Sequence, residues 1–260
     1  DTAFSLHNLA ALYRIQHKYA QGELFAQQAL DIRKEVLGLE HPDTTFSLIS
    51  LAELYKDQHK YDQAESLFQQ AVVIREKILG PEHPSLAYSL NHLANLYHVQ
   101  QKYDRAEPLF QRSLMIYEQT RDPLSPDVAF TLNQIARLYK DQGKYDQAEP
   151  LYQRALTIAE HVWGPKHMYI ARYLNNLAKL YQAQGKYVQA QSSYQQALEI
   201  YEQAMGTEAP DVANVLNNFA ALLREMKKEE EAQKLEARAQ AILTKSPGKK
   251  KSRINKKTSN

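Results

Sequence analysis

Apolar residues recur at helical spacing along the chain, and the spacing itself returns every 42 residues. Leu48, Leu51, Ala52 and Tyr55 stand at i, i+3, i+4 and i+7, which places them on one stripe of an amphipathic helix. We call this predicted element helix A. Its phrase Leu-Ala-x-Leu-Tyr begins at residues 9, 51, 93 and 177, with Ile at residue 135 and a degraded form at residue 219. A fixed period of this length is typical of a solenoid, in which each repeat buries its apolar face against its neighbours.

A second predicted element, helix B, follows helix A after a short polar turn. The apolar positions Ala64, Phe68 and Ala71 carry its buried face, and Gly80 ends it. Asp62 with Glu65 resembles a capping box at its start. In the turn, His59 of one repeat is replaced by Gly143 and Gly185 in two others, which predicts a backbone position with positive φ.

The pattern predicts an all-α fold of six antiparallel helix pairs followed by a tail. We place the repeats at residues 1–42, 43–84, 85–126, 127–168, 169–210 and 211–243. The last repeat carries Leu223, Glu229 and Glu236 at positions that are aromatic in the four interior repeats, as expected of a polar cap. Residues 244–260 contain seven Lys or Arg and no acidic residue, so we expect a basic, disordered tail.

Composition narrows the class of protein. There is no cysteine, hence neither a disulfide nor a thiolate metal site, and no apolar run approaches the ~20 residues that span a bilayer. No signal-peptide pattern opens the chain, which begins at Asp1. We therefore expect a soluble, cytoplasmic segment of a longer protein that does not insert into membranes.

Motifs for catalysis are missing from the sequence. There is no His-x3-His pair, no glycine-rich phosphate loop and no nucleophile elbow, so we expect no enzyme activity, no metal and no cofactor. His41, His83 and His167 repeat at one linker position, which indicates a structural role. Nucleic acid is not an expected partner, because only the tail is strongly basic while the repeats are mildly acidic.

The phrase Leu48-x2-Leu51-Ala52-x2-Tyr55, followed by Ala64-x3-Phe68, resembles the tetratricopeptide repeat, with Leu and Ala where that repeat often has Trp and Gly. The longer 42-residue form is similar to the repeat domain of kinesin light chains and their bacterial relatives, as in Leu174-Asn175-Asn176-Leu177-Ala178. The resemblance covers residues 1–243. It implies a right-handed superhelix with a peptide-binding groove lined by helices A. A kinesin light chain also has a heptad region, which this segment lacks, so a motor-cargo function is not implied.

Asparagines form two columns on the predicted groove face of helix A. One column contains Asn91, Asn133, Asn175 and Asn217, and the next contains Asn8, His92, Gln134, Asn176 and Asn218. An amide can donate to and accept from the backbone of an extended peptide whatever its sequence. The resemblance adds weight to the second column. The alternative is that these amides bond neighbouring helices, and the sequence leaves both open.

Charged residues on the same face suggest the character of a ligand. The cations are Arg14, Lys56, Arg137, Lys140, Arg172, Lys179 and Arg224, against the anions Glu53, Asp57, Asp141 and Glu225. This excess favours acidic peptides or a C-terminal carboxylate, although an ordinary solvated face is the alternative. Aromatic contact is expected from Phe4, Phe46, Tyr88 and Phe130. The third residue of the Leu-Ala-x-Leu-Tyr phrase, which is Asn95, Arg137 or Lys179 in three repeats, is expected to determine specificity.

Two functions follow from these observations. The first is a protein–protein interaction scaffold that binds an extended, acidic peptide segment in the groove formed by helices A. The alternative is a regulatory sensor array of a larger signalling or nucleotide-driven switch protein.

Overall fold

The computed structural model describes residues 2–245, and this part of the chain is entirely helical and irregular structure, without strands. The predicted all-α class is therefore confirmed. Twelve helices lie in the described range. They belong to two compact units, the first ending at Pro123 and the second beginning at Leu124.

The first unit contains three helix pairs. These are α1 (Thr2–Ile15) with α2 (Tyr19–Leu37), α3 (Pro42–Asp57) with α4 (Tyr61–Leu79), and α5 (Pro84–Val99) with α6 (Tyr103–Thr120). The odd-numbered helices are the predicted helices A and the even-numbered ones the helices B. Partners within a pair pack along their lengths, and α2 and α4 each also pack on the helix that follows.

The second unit repeats this arrangement. Its pairs are α7 (Pro126–Asp141) with α8 (Tyr145–Trp163), α9 (Met168–Ala183) with α10 (Tyr187–Met205), and α11 (Pro210–Glu225) with α12 (Glu229–Lys245). Helices α8 and α10 pack on the next helix A. Helix α12 includes Thr244 and Lys245, which the sequence pattern assigns to the tail. The rest of the predicted tail lies outside the described residues.

Small side chains permit the close packing of the helices. Ala52, Ala64 and Ala71 have no exposed surface, and the same is true of Phe68. Alanine at these positions lets two helix backbones approach, while Leu and Phe fill the remaining space at the density of a protein interior. Within each unit, a pair thereby buries its apolar stripe against the next pair, as the period predicts.

The linker histidines cap the helices A. The Nδ1 atom of His41 accepts a hydrogen bond from the backbone N–H of Asp43 (3.2 Å), and His83 accepts one from the N–H of Ser85 (3.1 Å). His167 does the same for Tyr169 at 3.3 Å. Such bonds satisfy N–H groups that the first helical turn leaves without a partner. The structural interpretation of these histidines is therefore confirmed.

The capping-box prediction for helix B is wrong. Helix α4 begins at Tyr61 with Lys60 as its N-cap, and no side chain caps it. A capping box with Glu65 would require Asp62 as the N-cap, but Asp62 lies inside the helix, one residue after its start. Asp62 still lies in the first turn, where its charge complements the helix dipole.

The turn between helices A and B has one left-handed residue, as predicted. Gly143 and Gly185 have φ values of 74° and 72°, and His59 has a φ of 60°. Gln101 and Lys227 occupy the same position with φ values of 59° and 60°. A side chain at this backbone conformation costs free energy that glycine avoids.

Introducing glycine at this turn position should raise the free energy of unfolding, and replacing glycine there should lower it. Gln101→Gly is expected to raise the free energy of unfolding by about 1 kcal/mol, and Gly143→Gln to lower it by about as much. Urea-induced unfolding followed by circular dichroism measures both. Gln142→Gly is the control, since Gln142 has a φ of −84° and glycine there should only destabilise. A loss of stability in Gln101→Gly would contradict the prediction.

Candidate functional site

Side-chain hydrogen bonds connect consecutive helices A in the second unit. Asn176 Nδ2 donates to Asn133 Oδ1 (2.9 Å), and Asn218 Nδ2 donates to Asn175 Oδ1 (3.1 Å). We call each such bond, from the second asparagine column to the first column of the preceding helix A, a rung. Each rung uses one N–H of the donor amide. The second N–H and the oxygen of that amide remain available for a ligand. The asparagines thus bond neighbouring helices and still have groups to offer.

A cleft of about 490 Å³ lies along these rungs. Seven of the eight residues predicted for the second unit line it: Asn133, Arg137, Asn175, Asn176, Lys179, Asn217 and Asn218. Asn133 is buried, Asn217 is exposed and the others are half-buried. The eighth, Lys140, is not part of the lining and pairs with Asp141 (2.9 Å).

Further residues that the sequence did not predict as ligand contacts also line the cleft. Asp211 and Asn214 line it from α11, and Tyr173 and Tyr201 contribute aromatic surface. Asn214 stands in the column that contains Phe130 and Arg172 in the preceding repeats. The column is aromatic in the first repeats and polar only in the last two. The sequence therefore did not identify Asn214 as part of a polar site.

Within the described range, Arg137 and Lys179 of this cleft are not neutralised by ion pairs with carboxylates. Arg137 Nη1 donates to the neutral Gln134 Oε1 (3.1 Å), and no carboxylate of the described residues forms an ion pair with Arg137 or Lys179. Burial lowers the pKa of Lys179, and repulsion from Lys140 and Arg137 lowers it further against the attraction of Asp141. The site therefore holds positive charge that a bound anion would stabilise.

The first unit has the opposite electrostatic character. Glu53 is buried and accepts hydrogen bonds from Arg14 Nη2 (2.7 Å), Lys56 Nζ (2.7 Å) and His92 Nδ1 (2.9 Å). Arg14 Nε also donates to Asp57 Oδ2 (2.6 Å). Burial disfavours the ionised carboxylate of Glu53, but the hydrogen bond from His92 and the charge of Lys56 outweigh it and hold its pKa well below the usual range. The cations of this face are already neutralised within the chain.

The candidate asparagines of the first unit do not come together. Asn8 is exposed and Asn91 is buried, while the Oδ1 atom of the half-buried Asn95 accepts a hydrogen bond from Lys56 Nζ (3.2 Å). A smaller cavity of about 210 Å³ lies among α1, α3 and α5, and none of the three asparagines lines it. The second unit is therefore the better candidate site.

A buried arginine supports the aromatic residues of the first unit. Arg75 is almost fully buried and donates to Thr45 Oγ1 (2.9 Å) and Ser89 Oγ (2.9 Å). Its guanidinium lies 4.7 Å from the ring centroid of Phe46, which is itself 5.7 Å from that of Tyr88. Burial lowers the pKa of Arg75. The residue fixes the aromatic pair that the sequence placed on this face.

Residues 2–245 contain neither a membrane span nor a metal site. No helix in that range is long and apolar enough to cross a bilayer. Within the same range, no group of His, Cys, Asp and Glu side chains has the arrangement that a metal ion needs.

Comparison with known proteins supports the resemblance seen in the sequence. A tetratricopeptide repeat model matches residues 1–77, 48–119, 85–161, 127–203 and 169–245. The crystal structure of BtubC (BKLC) from P. vanneervenii is 24% identical, with a TM-score of 0.69, 90% of this chain and 91% of that chain covered. The repeats of a putative kinesin light chain from Podosopora anserina are 27% identical, with a TM-score of 0.61 and coverage of 76% and 94%.

A more distant structure extends the comparison. A Rap protein complexed with Competence and Sporulation Factor is 18% identical, with a TM-score of 0.69, covering 94% of this chain and 64% of that chain. That identity supports the fold alone. No curated protein matches the sequence significantly. The predicted kinesin light chain-like repeat array is confirmed.

We expect the free energy of unfolding to decrease in acid because Glu53 loses its negative charge there. Because the pKa of Glu53 is lower in the folded protein than its ordinary value of 4.5, its stabilising contribution is complete above that pH and is lost as the pH falls further. Glu53→Gln is expected to reduce the free energy of unfolding by roughly 2 kcal/mol at neutral pH and to flatten its decline in acid. Urea unfolding between neutral pH and pH 3 measures this. Glu82→Gln, at an exposed carboxylate, should reproduce the parent curve; parallel curves for parent and Glu53→Gln would contradict the prediction.

Proposed function

The chain belongs to the tetratricopeptide repeat family, a scaffold fold for protein–protein interaction, and from that premise we propose that its second unit binds an extended, acidic peptide segment of another protein. The site is the cleft along the rungs of α7, α9 and α11. Its polar contacts are provided by asparagines and its positive charge by Arg137, Arg172 and Lys179, with Asp211 as the acidic residue of the lining.

One observation carries this proposal. Arg137 and Lys179 lie in the cleft without a carboxylate partner, whereas Glu53, at the position that corresponds to Arg137, is surrounded by three donors. Cations near a low-dielectric surface attract an anionic group more strongly than fully solvated ones do. Aspartate or glutamate side chains of a peptide, or its terminal carboxylate, would supply that charge.

The asparagines supply contacts that do not depend on the peptide's sequence. Asn176 and Asn218 each use one N–H in a rung, so each retains an amide N–H and an oxygen for a backbone C=O and N–H. Contacts of this type favour an extended chain, because its backbone groups remain unpaired and accessible. Asp211, at one side of the cleft, would repel an acidic residue there and so limit where the peptide's charges lie.

A structural neighbour binds a partner in the same fold. The Rap protein of similar fold is complexed with Competence and Sporulation Factor in its crystal structure. This supports, by analogy of fold only, that a repeat array of this type accommodates a ligand.

The proposal predicts charge-dependent peptide binding. An extended peptide with alternating glutamates should bind, and its glutamine counterpart should bind more weakly. Arg137→Gln and Lys179→Gln should each weaken binding of the acidic peptide by about threefold to tenfold, and the pair Asn176→Ala with Lys179→Ala should weaken it further. Titration calorimetry at two salt concentrations is the measurement, with weaker binding at high salt.

A cation outside the cleft is the matched control. Lys166 is exposed and does not line the cleft, so Lys166→Gln changes the net charge equally and should leave affinity unchanged. Thermal unfolding of each variant separates lost contacts from lost folding. Equal affinities for the glutamate and glutamine peptides, or an affinity that the cleft substitutions do not alter, would refute the proposal.

A further inference from the structure

Positive charge is concentrated at one end of the cleft in the second unit. Arg137 and Lys179 line it there, and Lys140 follows Arg137 on α7 by three residues. We call these residues the basic end. Asp141 is the carboxylate whose attraction acts on Lys179, and it already pairs with Lys140 at 2.9 Å. Three cations and one carboxylate leave two positive charges without compensation.

The neighbouring helix α11 does not neutralise this charge. Ala221 stands there at the position that Arg137 and Lys179 occupy in α7 and α9. Glu225, one turn further along, accepts a hydrogen bond from Gln182 Nε2 (2.7 Å), and its charge is not among those that shift the pKa of Lys179. The excess positive charge is therefore local to α7 and α9.

The donors of the basic end are available to a ligand. Arg137 Nη1 donates to Gln134 Oε1 (3.1 Å), and the described residues do not use the rest of its planar fork. The ammonium of Lys179 donates to no acceptor in the described range. An arginine fork binds two oxygens of a phosphate or carboxylate at once. An anion would thus find several donors at this end of the cleft.

A buried hydroxyl near the basic end has no acceptor. Tyr152 of α8 is 1% exposed, and its hydroxyl has no hydrogen-bond partner among the described residues. Burial is the main cause of the raised pKa of Tyr152; the charge of Arg137 lowers that pKa and the charge of Asp141 raises it further. The hydroxyl therefore lies near both charged groups. Leaving a buried hydroxyl without a partner costs free energy.

Other repeats show that packing does not require this hydroxyl. Phe68 and Phe110 fill the same position in α4 and α6, and neither has exposed surface. Tyr194 of α10 has a hydroxyl there, but it donates to Gln182 Oε1 (3.0 Å). The residue that corresponds to Gln182 in α7 is Lys140, whose ammonium donates hydrogen bonds and cannot accept one. A ligand oxygen would supply the acceptor that the hydroxyl in α8 lacks.

We propose that the basic end binds a phosphate monoester, with Tyr152 as an additional donor. Such a group carries a charge of about −1.5 to −2 at neutral pH and three acceptor oxygens. A carboxylate carries one charge and two oxygens, so it would leave part of the excess charge and one donor unused. The phosphoryl oxygens match the donors Arg137, Lys179 and Tyr152. Because the group would occupy the cleft of the acidic peptide, the phosphate site rests on the proposed function.

Peptides that differ at one position test this site. The alternating-glutamate peptide is prepared with phosphoserine, glutamate or serine at its central acidic position and titrated into the full chain by calorimetry. We expect the phosphoserine peptide to bind at least about tenfold more tightly than the glutamate peptide, and the glutamate peptide more tightly than the serine peptide. Equal affinities for phosphoserine and glutamate would overturn the phosphate site alone. Equal affinities for all three would overturn the proposed function as well.

Free ligands identify the source of the phosphoryl group. Inorganic phosphate and O-phospho-L-serine are each used to displace the phosphoserine peptide, and both should compete with it. Free phosphoserine that binds about tenfold or more weakly than the peptide assigns the group to a phosphorylated side chain, whereas equal affinities assign it to a free monoester. Both results support the phosphoryl site. Absence of competition by either ligand would overturn it.

Substitution of Tyr152 separates a role in binding from a role in packing. Tyr152→Phe should weaken binding of the phosphoserine peptide about threefold to tenfold and change that of the glutamate peptide by less than about twofold, because only the phosphate has a third oxygen. The melting temperature should not fall, since Phe occupies this position in α4 and α6.

Tyr194→Phe is the matched control for this substitution. It should lower the melting temperature, because the Tyr194 hydroxyl donates to Gln182, and it should leave both affinities unchanged. An affinity for the phosphoserine peptide that Tyr152→Phe or Arg137→Gln does not alter would overturn the phosphate site.

Discussion

Close approach of helix backbones at alanine is the constraint on which this structure depends. Ala52, Ala64 and Ala71 have no exposed surface, and any larger side chain there would force the helices apart. Because a single helix pair has too little apolar surface to fold alone, each pair gains stability from its neighbours.

The sequence predicted the repeating elements well because the signals for them are local. Apolar spacing revealed the helices, and glycine at two turn positions revealed the left-handed residue that His59 and Gln101 also adopt. Glu65 was misread as part of a capping box for the opposite reason. Its partners, Tyr97 (3.0 Å) and Arg105 (2.9 Å), lie in the next repeat, and no spacing within one helix reports them.

The candidate site was predictable in outline and not in detail. The asparagine columns were visible, but which amides meet depends on the offset between consecutive helices A. That offset pairs Asn176 with Asn133 and Asn218 with Asn175. Likewise, a count of charges could not separate Arg14, which Glu53 and Asp57 neutralise, from Arg137, which only a neutral glutamine contacts.

One helical position therefore produces two different surfaces. The third residue of the Leu-Ala-x-Leu-Tyr phrase is Glu53 in the first unit, where it gathers three donors and consumes the local positive charge. It is Arg137 and Lys179 in the second unit, where positive charge accumulates; burial, and then repulsion from Lys140 and Arg137, lowers the pKa of Lys179. The neighbouring Leu, Ala and Tyr cannot vary in this way, since they are fixed by packing between helices. Specificity in such an array can change through that one position without disturbing the fold, whereas a change at Glu23 or Glu149, which accept hydrogen bonds from a lysine of the next repeat, would alter the association of the repeats themselves.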